Sequence, residues 1–406
     1  MKTSGKTALL FTLYLSQGLP FGFQATALPV LLRDKGISLT TIGFAGALAL
    51  PWFFKPLWAP LIDRFWSARI GRRRSWIIPL QTMMVLTMFS SVFIATSGSI
   101  PLLLLCIFLM NLCAATQDIA VDGLAVDILQ RNELGPGNAA QVAGYKAGMV
   151  LGGGILVWLS ARSGWESLFL GMAVLAVLPL IVILCHREVE PDGSIVSKPP
   201  KFSDFISAMR NALQSPKAGY FLLFIATYKI GESMIDMMFK PFLVDNGFTV
   251  QQIGLWVGTW GMASSLIGSV AGGWLAARIS IVRALFLAAS LRLIPLIGEL
   301  WLSTFVPTAA QVVSVTVAEH FFGGMLTTAL FAFMMSRVDK KIGATHYTVL
   351  AAIEVFGKFP GTVFSGCLAE NIGYTGLFSF GVVLSLLVLL LYFPLRESTS
   401  PPKMNI

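Results

Sequence analysis

The chain has 406 residues, of which 55% are hydrophobic and only 12% are charged, with a net charge of +9. A soluble protein carries about twice that share of charged residues, so the composition excludes an ordinary soluble globular protein. Apolar stretches of about 20 residues, each long enough to cross a bilayer, recur along the chain, and its mean hydropathy is +0.76. These features indicate an all-α polytopic membrane protein.

Twelve membrane spans are predicted in chain order. Their approximate bounds are 7–32, 40–61, 76–97, 100–128, 138–161, 165–185, 218–243, 251–277, 281–303, 307–336, 344–368 and 373–395. A long polar connection divides them into an N-terminal six-helix half (1–186), a linker (187–217), a C-terminal six-helix half (218–396) and a tail (397–406). Within the linker, residues 203–213 have an apolar face, which predicts an amphipathic helix along the membrane interface.

Most lysine and arginine residues fall on one side of the predicted spans. With the N-terminus inside, only Arg33, Lys35 and Arg162 of the 29 Lys and Arg residues lie in outer loops. Six basic residues lie within spans, and these are Lys55, Lys146, Lys229, Lys240, Arg292 and Lys358. The positive-inside rule therefore predicts that both termini are cytoplasmic, and the dispersed basic residues give no indication of nucleic-acid binding.

Two carboxylates of the fourth span lie one helical turn apart. Asp118 and Asp122 are four residues apart, so a helix places them on one face, with Gln117 beside them. A carboxylate at the centre of a membrane helix costs roughly 2.5–3.5 kcal/mol on insertion scales. Either the two aspartates pair with basic residues elsewhere in the bundle, or they form a solute or proton site.

The seventh span carries a charged stripe. Lys229, Glu232, Asp236 and Lys240 share one face of the predicted helix, with Tyr228 beside them. Inside a bilayer such a face must line a bundle interior or a water-filled cavity. The Lys229–Glu232 pair could also be purely structural.

Spans five and eleven add further polar groups. These are Tyr145 and Lys146 in span five, and His346, Tyr347, Glu354 and Lys358 in span eleven. Span five also has Gly144, Gly148 and Gly152 at intervals of four, and small residues at that spacing allow helices to approach closely.

Two charged pairs in spans nine and ten, Arg292 with Glu299 and Glu319 with His320, are expected to be structural. The four cysteines have no metal-ligand spacing. Neither a metal ion nor a cofactor is therefore expected.

An internal repeat supports the division into two halves. Gly36 and Gly43 are seven residues apart at the end of span one and the start of span two. Gly247 and Gly254 repeat that spacing 211 residues later, at the corresponding place in the second half.

Six plus six spans with a basic loop after span two resemble the major facilitator superfamily. In that loop Asp63 and Arg64 precede the basic run Arg72, Arg73 and Arg74 by a longer spacing than is usual. The resemblance implies alternating access, with these five residues at a cytoplasmic gate.

Six motifs are similar to one branch of that superfamily, which holds the AmpG muropeptide permeases, the acetyl-CoA transporters and the RhtX/FptX-type siderophore permeases. The motifs lie at Leu15–Gly22, Gly71–Trp76, Gln117–Asp122, Gly144–Gly148, Tyr228–Gly231 and Ala344–Ala351. The resemblance implies a protein of the bacterial inner membrane and three solute classes, which are siderophores, muropeptides and acetyl-CoA-like compounds.

The sequence thus favours a secondary active transporter, coupled to protons, for a mid-sized polar or anionic organic solute. Coupling or solute binding is assigned to thirteen residues, which are Gln117, Asp118, Asp122, Tyr145, Lys146, Tyr228, Lys229, Glu232, Asp236, His346, Tyr347, Glu354 and Lys358. The expected partners are the solute, protons and the lipid bilayer, with the chain as a monomer. Two alternatives remain, an integral-membrane enzyme such as an acyltransferase using His320 or His346, and a non-transporting sensor.

Overall fold

The computed structural model describes residues 3–129, 133–186, 218–336 and 343–392, and within them the backbone is helical apart from short connections. We number the helices in chain order, and a helix interrupted by a π or 3₁₀ segment keeps one number. The predicted amphipathic helix at 203–213 lies outside the described residues.

The helices before the linker are α1 to α6. Their bounds are Thr3–Gly22, Phe23–Ala27 (π) and Leu28–Asp34 for α1; Leu39–Phe44, Ala45–Ala49 (3₁₀) and Leu50–Arg64 for α2; Arg74–Ser97 for α3; Ile100–Ile128 for α4; Leu134–Val150, Leu151–Ile155 (π) and Leu156–Ser163 for α5; and Trp165–Cys185 for α6.

The helices after the linker are α7 to α12. Their bounds are Ala218–Thr227 and Ile230–Asp245 for α7; Val250–Ile253, Gly254–Gly261 (π) and Met262–Arg278 for α8; Ile281–Leu302 for α9; Ala309–Ser336 for α10; and, for α11 and α12, the two parts of Gly343–Leu389. The last two divide at Gly373, whose φ of 72° is not helical.

Nine helical stretches among the described residues are long and apolar enough to cross a membrane. The difference from the twelve predicted spans has identifiable causes. Leu350–Leu389 forms a single stretch in that count although Gly373 breaks it. Buried polar residues lower the mean hydropathy of α1. The α7 helix is interrupted at Tyr228 and Lys229 and is rich in charged residues. Twelve membrane crossings remain a prediction.

The described residues cluster into two compact units. Unit 1 consists of the described residues within Met1–Lys35, Ala47–Pro199 and Gly247–Met262. Unit 2 consists of the described residues within Gly36–Gly46, Pro200–Asn246 and Ala263–Ile406. The predicted halves differ from these units at two short segments, 36–46 and 247–262, each of which packs with helices of the other half.

The repeated glycines begin these two segments. Gly36 and Gly247 have φ values of +74° and +82°, a left-handed conformation that glycine adopts without strain. Two residues further on, the side chains of Ser38 and Thr249 accept hydrogen bonds from backbone N–H groups and cap the next helix. The sequence repeat is therefore a repeated turn and helix start.

The second glycine of each repeat lies where two backbones meet. A Cβ atom on Gly43 would lie 2.8 Å from backbone atoms of Gly366 on α11, within unit 2. A Cβ atom on Gly254 would lie 2.9 Å from the side chain of Val157 on α5, within unit 1. Both positions therefore require a residue without a side chain.

Close packing between α1 and α5 confirms the prediction from the spaced glycines of span five. Each glycine faces a backbone carbonyl of α1, and the pairs are Gly144 with Phe11, Gly148 with Leu15 and Gly152 with Leu19. In unit 2, Gly357 of α11 faces the carbonyl of Ala226 on α7 in the same way. The first and fifth helices of each repeat therefore pack with their backbones almost in contact.

A tyrosine lies in the apolar core of each unit. In unit 1, Tyr14 is 1% exposed among residues that include Leu13 and Val121. In unit 2, Tyr228 is 6% exposed among residues that include Phe333. Each tyrosine hydroxyl reaches a carboxylate, and these two contacts lead into the polar clusters of the two units.

Candidate functional site

In unit 1, Asp118 of α4 is paired with a lysine. The Lys55 ammonium group of α2 donates a hydrogen bond to its carboxylate, and the two side chains are 25% and 10% exposed. An opposite charge at this distance compensates much of the cost of burying each group. A basic partner from elsewhere in the bundle was one of the two alternatives for this aspartate, but Lys55 was not identified as that partner.

Asp122, one turn further along α4, is placed differently. Its carboxylate accepts a hydrogen bond from the Tyr14 hydroxyl of α1 and a long one, 3.4 Å, from the Gln141 amide of α5. It has no ion pair among the described residues, and its side chain is exposed. Asp122 is therefore an accessible carboxylate held in position by neutral groups.

Three aromatic rings adjoin these carboxylates. The rings of Phe21, Trp52 and Tyr145 lie with centroids 5.6 to 6.3 Å apart, and each side chain is half-buried. The Lys55 ammonium group lies 5.4 Å from the Trp52 ring centroid. Unit 1 thus presents an apolar ring surface, one cation and two carboxylates on neighbouring helices, a combination that suits a solute with both ring and charged groups.

Gln117 lies in a different environment from its neighbour Asp118. It is fully buried, and its amide nitrogen donates to Gln81 of α3 over 2.8 Å. The same oxygen of Gln81 accepts from Ser16 of α1 over 2.9 Å. Gln117 therefore joins α4 to α3. Lys146, by contrast, is half-buried on α5.

Two arginines of the basic loop attach helix ends within unit 1. Arg73 donates to Asp127 at the end of α4 over 2.8 Å. Arg74 donates to the carbonyl oxygens of Ile183 and Leu184 at the end of α6, over 3.2 and 3.0 Å. The Arg74 contacts satisfy carbonyl groups that a helix C-terminus leaves unpaired, and the Arg73 contact is an ion pair.

The other members of the predicted gate lie nearby in the chain. The Arg64 guanidinium group is 5.7 Å from the Phe65 ring centroid, and Arg72 is half-buried. Asp63 lies in the last turn of α2, and its side chain is outside the described part. Gating by these residues remains a prediction.

In unit 2, Arg292 of α9 is the centre of a buried charged network. Its guanidinium group lies 3.1 Å from the Glu232 carboxylate of α7 and contacts the Glu319 carboxylate of α10. Glu319 also contacts the imidazole of His320. Arg292 thus contacts Glu319 of the other predicted pair and a predicted coupling residue, Glu232, and the expected pair of Arg292 with Glu299 is not formed.

Glu354 of α11 forms a second contact group in unit 2. It accepts from the Lys358 ammonium group over 2.6 Å and from the Tyr228 hydroxyl over 2.6 Å. The carboxylate is 4% exposed, whereas the lysine side chain is 32% exposed. His346 and Tyr347, in the first turns of the same helix, have side chains outside the described part.

The residues of the charged stripe of α7 form two ion pairs with one another. Lys229 lies 3.6 Å from Glu232, which matches the expected structural pair. Lys240, with a side chain only 3% exposed, contacts Asp236, whose side chain is 48% exposed. The helix is interrupted at Lys229, so the stripe is not one continuous helical face.

A small cavity lies beside this network. A cavity of about 20 Å³ is lined by Tyr228, Glu232 and Arg292 among others. Sites for organic ligands usually measure several hundred Å³. This cavity is therefore too small for an organic solute.

Several residues of the two clusters were absent from the predicted site. They are Phe21, Trp52, Tyr14 and Lys55 in unit 1, and Arg292, Glu319 and His320 in unit 2. The polar and charged members share one signal, a polar group within an apolar span, which predicts a partner without identifying it. Phe21 and Trp52 have no such signal, because aromatic residues are common in apolar spans.

Comparison with known proteins points to one class. A family model described as acetyl-coenzyme A transporter 1 matches residues 6–167. The anhydromuropeptide permease of Escherichia coli K12 is 27% identical over 402 residues, which cover 98% of this chain and 82% of the permease. The putative transporter AmpG 4 of Rickettsia conorii is 27% identical over 398 residues, covering 94% and 95% of the two chains.

Solved structures agree in fold. A bacterial homologue of the human lysosomal transporter Spinster superposes with a TM-score of 0.77 at 16% identity, covering 98% of both chains. The chain therefore has the fold of major facilitator superfamily transporters and is related in sequence to AmpG permeases and acetyl-CoA transporters, which confirms the resemblance that its motifs indicated.

Proposed function

We propose that the protein is a secondary active transporter that works by alternating access and is coupled to protons. The observation that carries the proposal is the accessible polar face of unit 1, where Asp122 is exposed next to the Lys55–Asp118 pair. Charged groups are costly in membrane helices and mark solute or proton pathways. The relatedness to permeases supports the same function.

For the solute, we propose a sugar-containing anionic compound of the anhydromuropeptide class. The rings of Phe21, Trp52 and Tyr145 offer a surface for the apolar face of a sugar ring, and Lys55 offers a cation for a carboxylate. The name of the Escherichia coli relative supports this order of preference. Siderophores and acetyl-CoA-like compounds are the second and third candidates.

For the setting, we propose a bacterial inner membrane with both termini in the cytoplasm. The distribution of lysine and arginine residues supports this orientation. The basic residues at 72–74 then lie on the cytoplasmic side, where they would contribute to a gate. Labelling of single cysteines introduced at Lys35 and in the tail, from either side of the membrane, would test the orientation.

The transport proposal is tested in proteoliposomes with radiolabelled anhydromuropeptide, a ferric siderophore and acetyl-CoA, each with and without an imposed pH gradient. We expect accumulation of the anhydromuropeptide only with the gradient, and its loss in Lys55→Met but not in Lys35→Met, where the replaced lysine is exposed in a loop. Uptake of another compound would replace the proposed solute. Binding without flux, or chemical conversion of the compound, would overturn the transport function.

Thermal stability gives an independent measure of binding. A ligand present at about 100 times its dissociation constant adds roughly 2.7 kcal/mol to the stability of the protein. We expect the melting temperature of the purified protein to rise with the anhydromuropeptide and this rise to be lost in Asp122→Asn. Equal melting temperatures with and without all three compounds would contradict the proposed solute classes.

A further inference from the structure

Glu299 of α9 is a buried acid of unit 2 that lacks a basic contact among the described residues. It is 2% exposed, and one of its carboxylate oxygens is buried without a hydrogen-bond partner. No ion pair or hydrogen bond of its side chain exists among the described residues. The other carboxylates of the unit 2 network all contact a basic side chain, and they are Glu232, Asp236, Glu319 and Glu354.

The surrounding charges do not compensate an ionised Glu299. The charged groups that act electrostatically on Glu299 are Arg292 on its own helix, Glu319 on α10, and Asp236 and Lys240 on α7. Arg292 already contacts two carboxylates, and Lys240 contacts Asp236. Both of these cations thus already contact other carboxylates, and both of these acids would repel an ionised Glu299.

An uncompensated charge in a buried place is far more costly than a neutral carboxylic acid. We infer that Glu299 is the proton-carrying carboxyl group of this transporter, and that it is protonated while Arg292 contacts its present partners. The inference rests on the proposed proton-coupled function and adds the residue that holds the proton.

The geometry also provides a way to release the proton. Arg292 and Glu299 are seven residues apart, so they lie on the same face of α9 about 10 Å apart along its axis. When α7 or α10 moves away from α9, the guanidinium group loses a carboxylate and becomes free to turn to Glu299. The O–H bond of Glu299 then breaks, its proton passes to water, and the carboxylate formed pairs with the guanidinium group, which stays protonated.

Infrared spectroscopy of the purified protein at neutral pH tests where the proton is, without any solute. We expect a C=O stretching band of a protonated carboxyl group that shifts in D₂O, is lost in Glu299→Gln and is retained in Glu354→Gln. Absence of the band in wild type, or its persistence in Glu299→Gln, would overturn the inference. The wild-type spectrum alone shows whether a protonated carboxyl group is present, even if a variant fails to fold.

The two matched glutamines separate a proton site from a structural ion pair. Glu299→Gln imitates the protonated acid, so we expect its melting temperature to match wild type. In Glu319→Gln the guanidinium group loses a charged partner, so we expect a clear decrease. A large decrease in Glu299→Gln instead would indicate an ionised, structural Glu299 and contradict the inference.

Transport separates this inference from the proposed function. With radiolabelled anhydromuropeptide in proteoliposomes, we expect Glu299→Gln to keep solute exchange between the two sides and to lose accumulation driven by a pH gradient. Gradient-driven accumulation at the wild-type level in Glu299→Gln would overturn the role of Glu299. Wild-type protein that transports none of the test compounds but shows the infrared band would instead contradict the proposed function alone.

Discussion

The polar clusters of the two units differ in accessibility and in charge balance. In unit 1 an exposed aspartate, Asp122, is held by neutral groups, and three half-buried rings adjoin the Lys55–Asp118 pair. In unit 2 the carboxylates and cations are mostly buried and contact one another, and Glu299 alone among the acids of the described network has no basic contact. This difference is the reason that we assign solute contacts to unit 1 and proton binding to unit 2.

The largest effect is expected from Arg292→Met. The change leaves the buried Glu232 and Glu319 carboxylates without their shared cation, and breaking a buried ion pair costs about 3–5 kcal/mol. We expect a strong decrease in melting temperature in detergent and loss of transport. Arg278→Met is the matched control, because Arg278 is exposed at the end of α8 against the Trp274 ring. Equal melting temperatures of the two variants would mean that the ion pairs of Arg292 contribute little to stability.

The next effect concerns the Lys55–Asp118 pair of unit 1. Lys55→Met leaves a mostly buried carboxylate without its hydrogen-bond donor, a loss of about 1.5–3 kcal/mol for a charged hydrogen bond. Adding Asp118→Asn removes the uncompensated charge and should restore most of the melting temperature, while solute uptake stays absent. Recovery of uptake in the double variant would show that the pair is structural, and would remove the main distinction between the two units.

The backbone contact between α1 and α5 should tolerate little change. Gly148→Leu places a side chain against the backbone of Leu15 and Gly18, and overpacking of this kind costs about 1–3 kcal/mol. Ala147→Leu, on the neighbouring half-buried position, is the control. Melting temperatures measured in detergent should fall clearly in the first variant only, and Gly357→Leu should behave like Gly148→Leu if both units depend equally on this contact.

The smallest effect is expected at the aromatic rings of unit 1. Tyr145→Ala removes a ring that lies 5.6 Å from Phe21 and 6.3 Å from Trp52. An aromatic contact is worth about 0.5–1.5 kcal/mol, so the KM for anhydromuropeptide uptake should rise about 2- to 10-fold. Tyr145→Phe keeps the ring and should have a KM close to wild type. Unchanged KM in both variants would argue against solute contact at this surface.

Much of the fold follows from local sequence. The predicted bounds of α4 and α6, 100–128 and 165–185, coincide with the helices, because long apolar runs with proline or glycine at their N-terminal ends leave little alternative. The glycine spacing in α5 predicted close packing correctly, since only a missing side chain allows two backbones to touch. Local pattern did not predict the interruption of α7 at Lys229.

The site could be predicted only in part. Composition identified charged residues within spans, since each is costly in a bilayer wherever its partner lies. Their partners come from other helices: Lys55 reaches Asp118 from α2, and Arg292 reaches Glu319 from α9. Sequence by itself determined that these charges must be compensated and which residues carry them. Only the tertiary structure decided which residues pair, that Glu299 has no basic contact and that Asp122 is exposed. All three outcomes depend on how helices distant in the chain pack together.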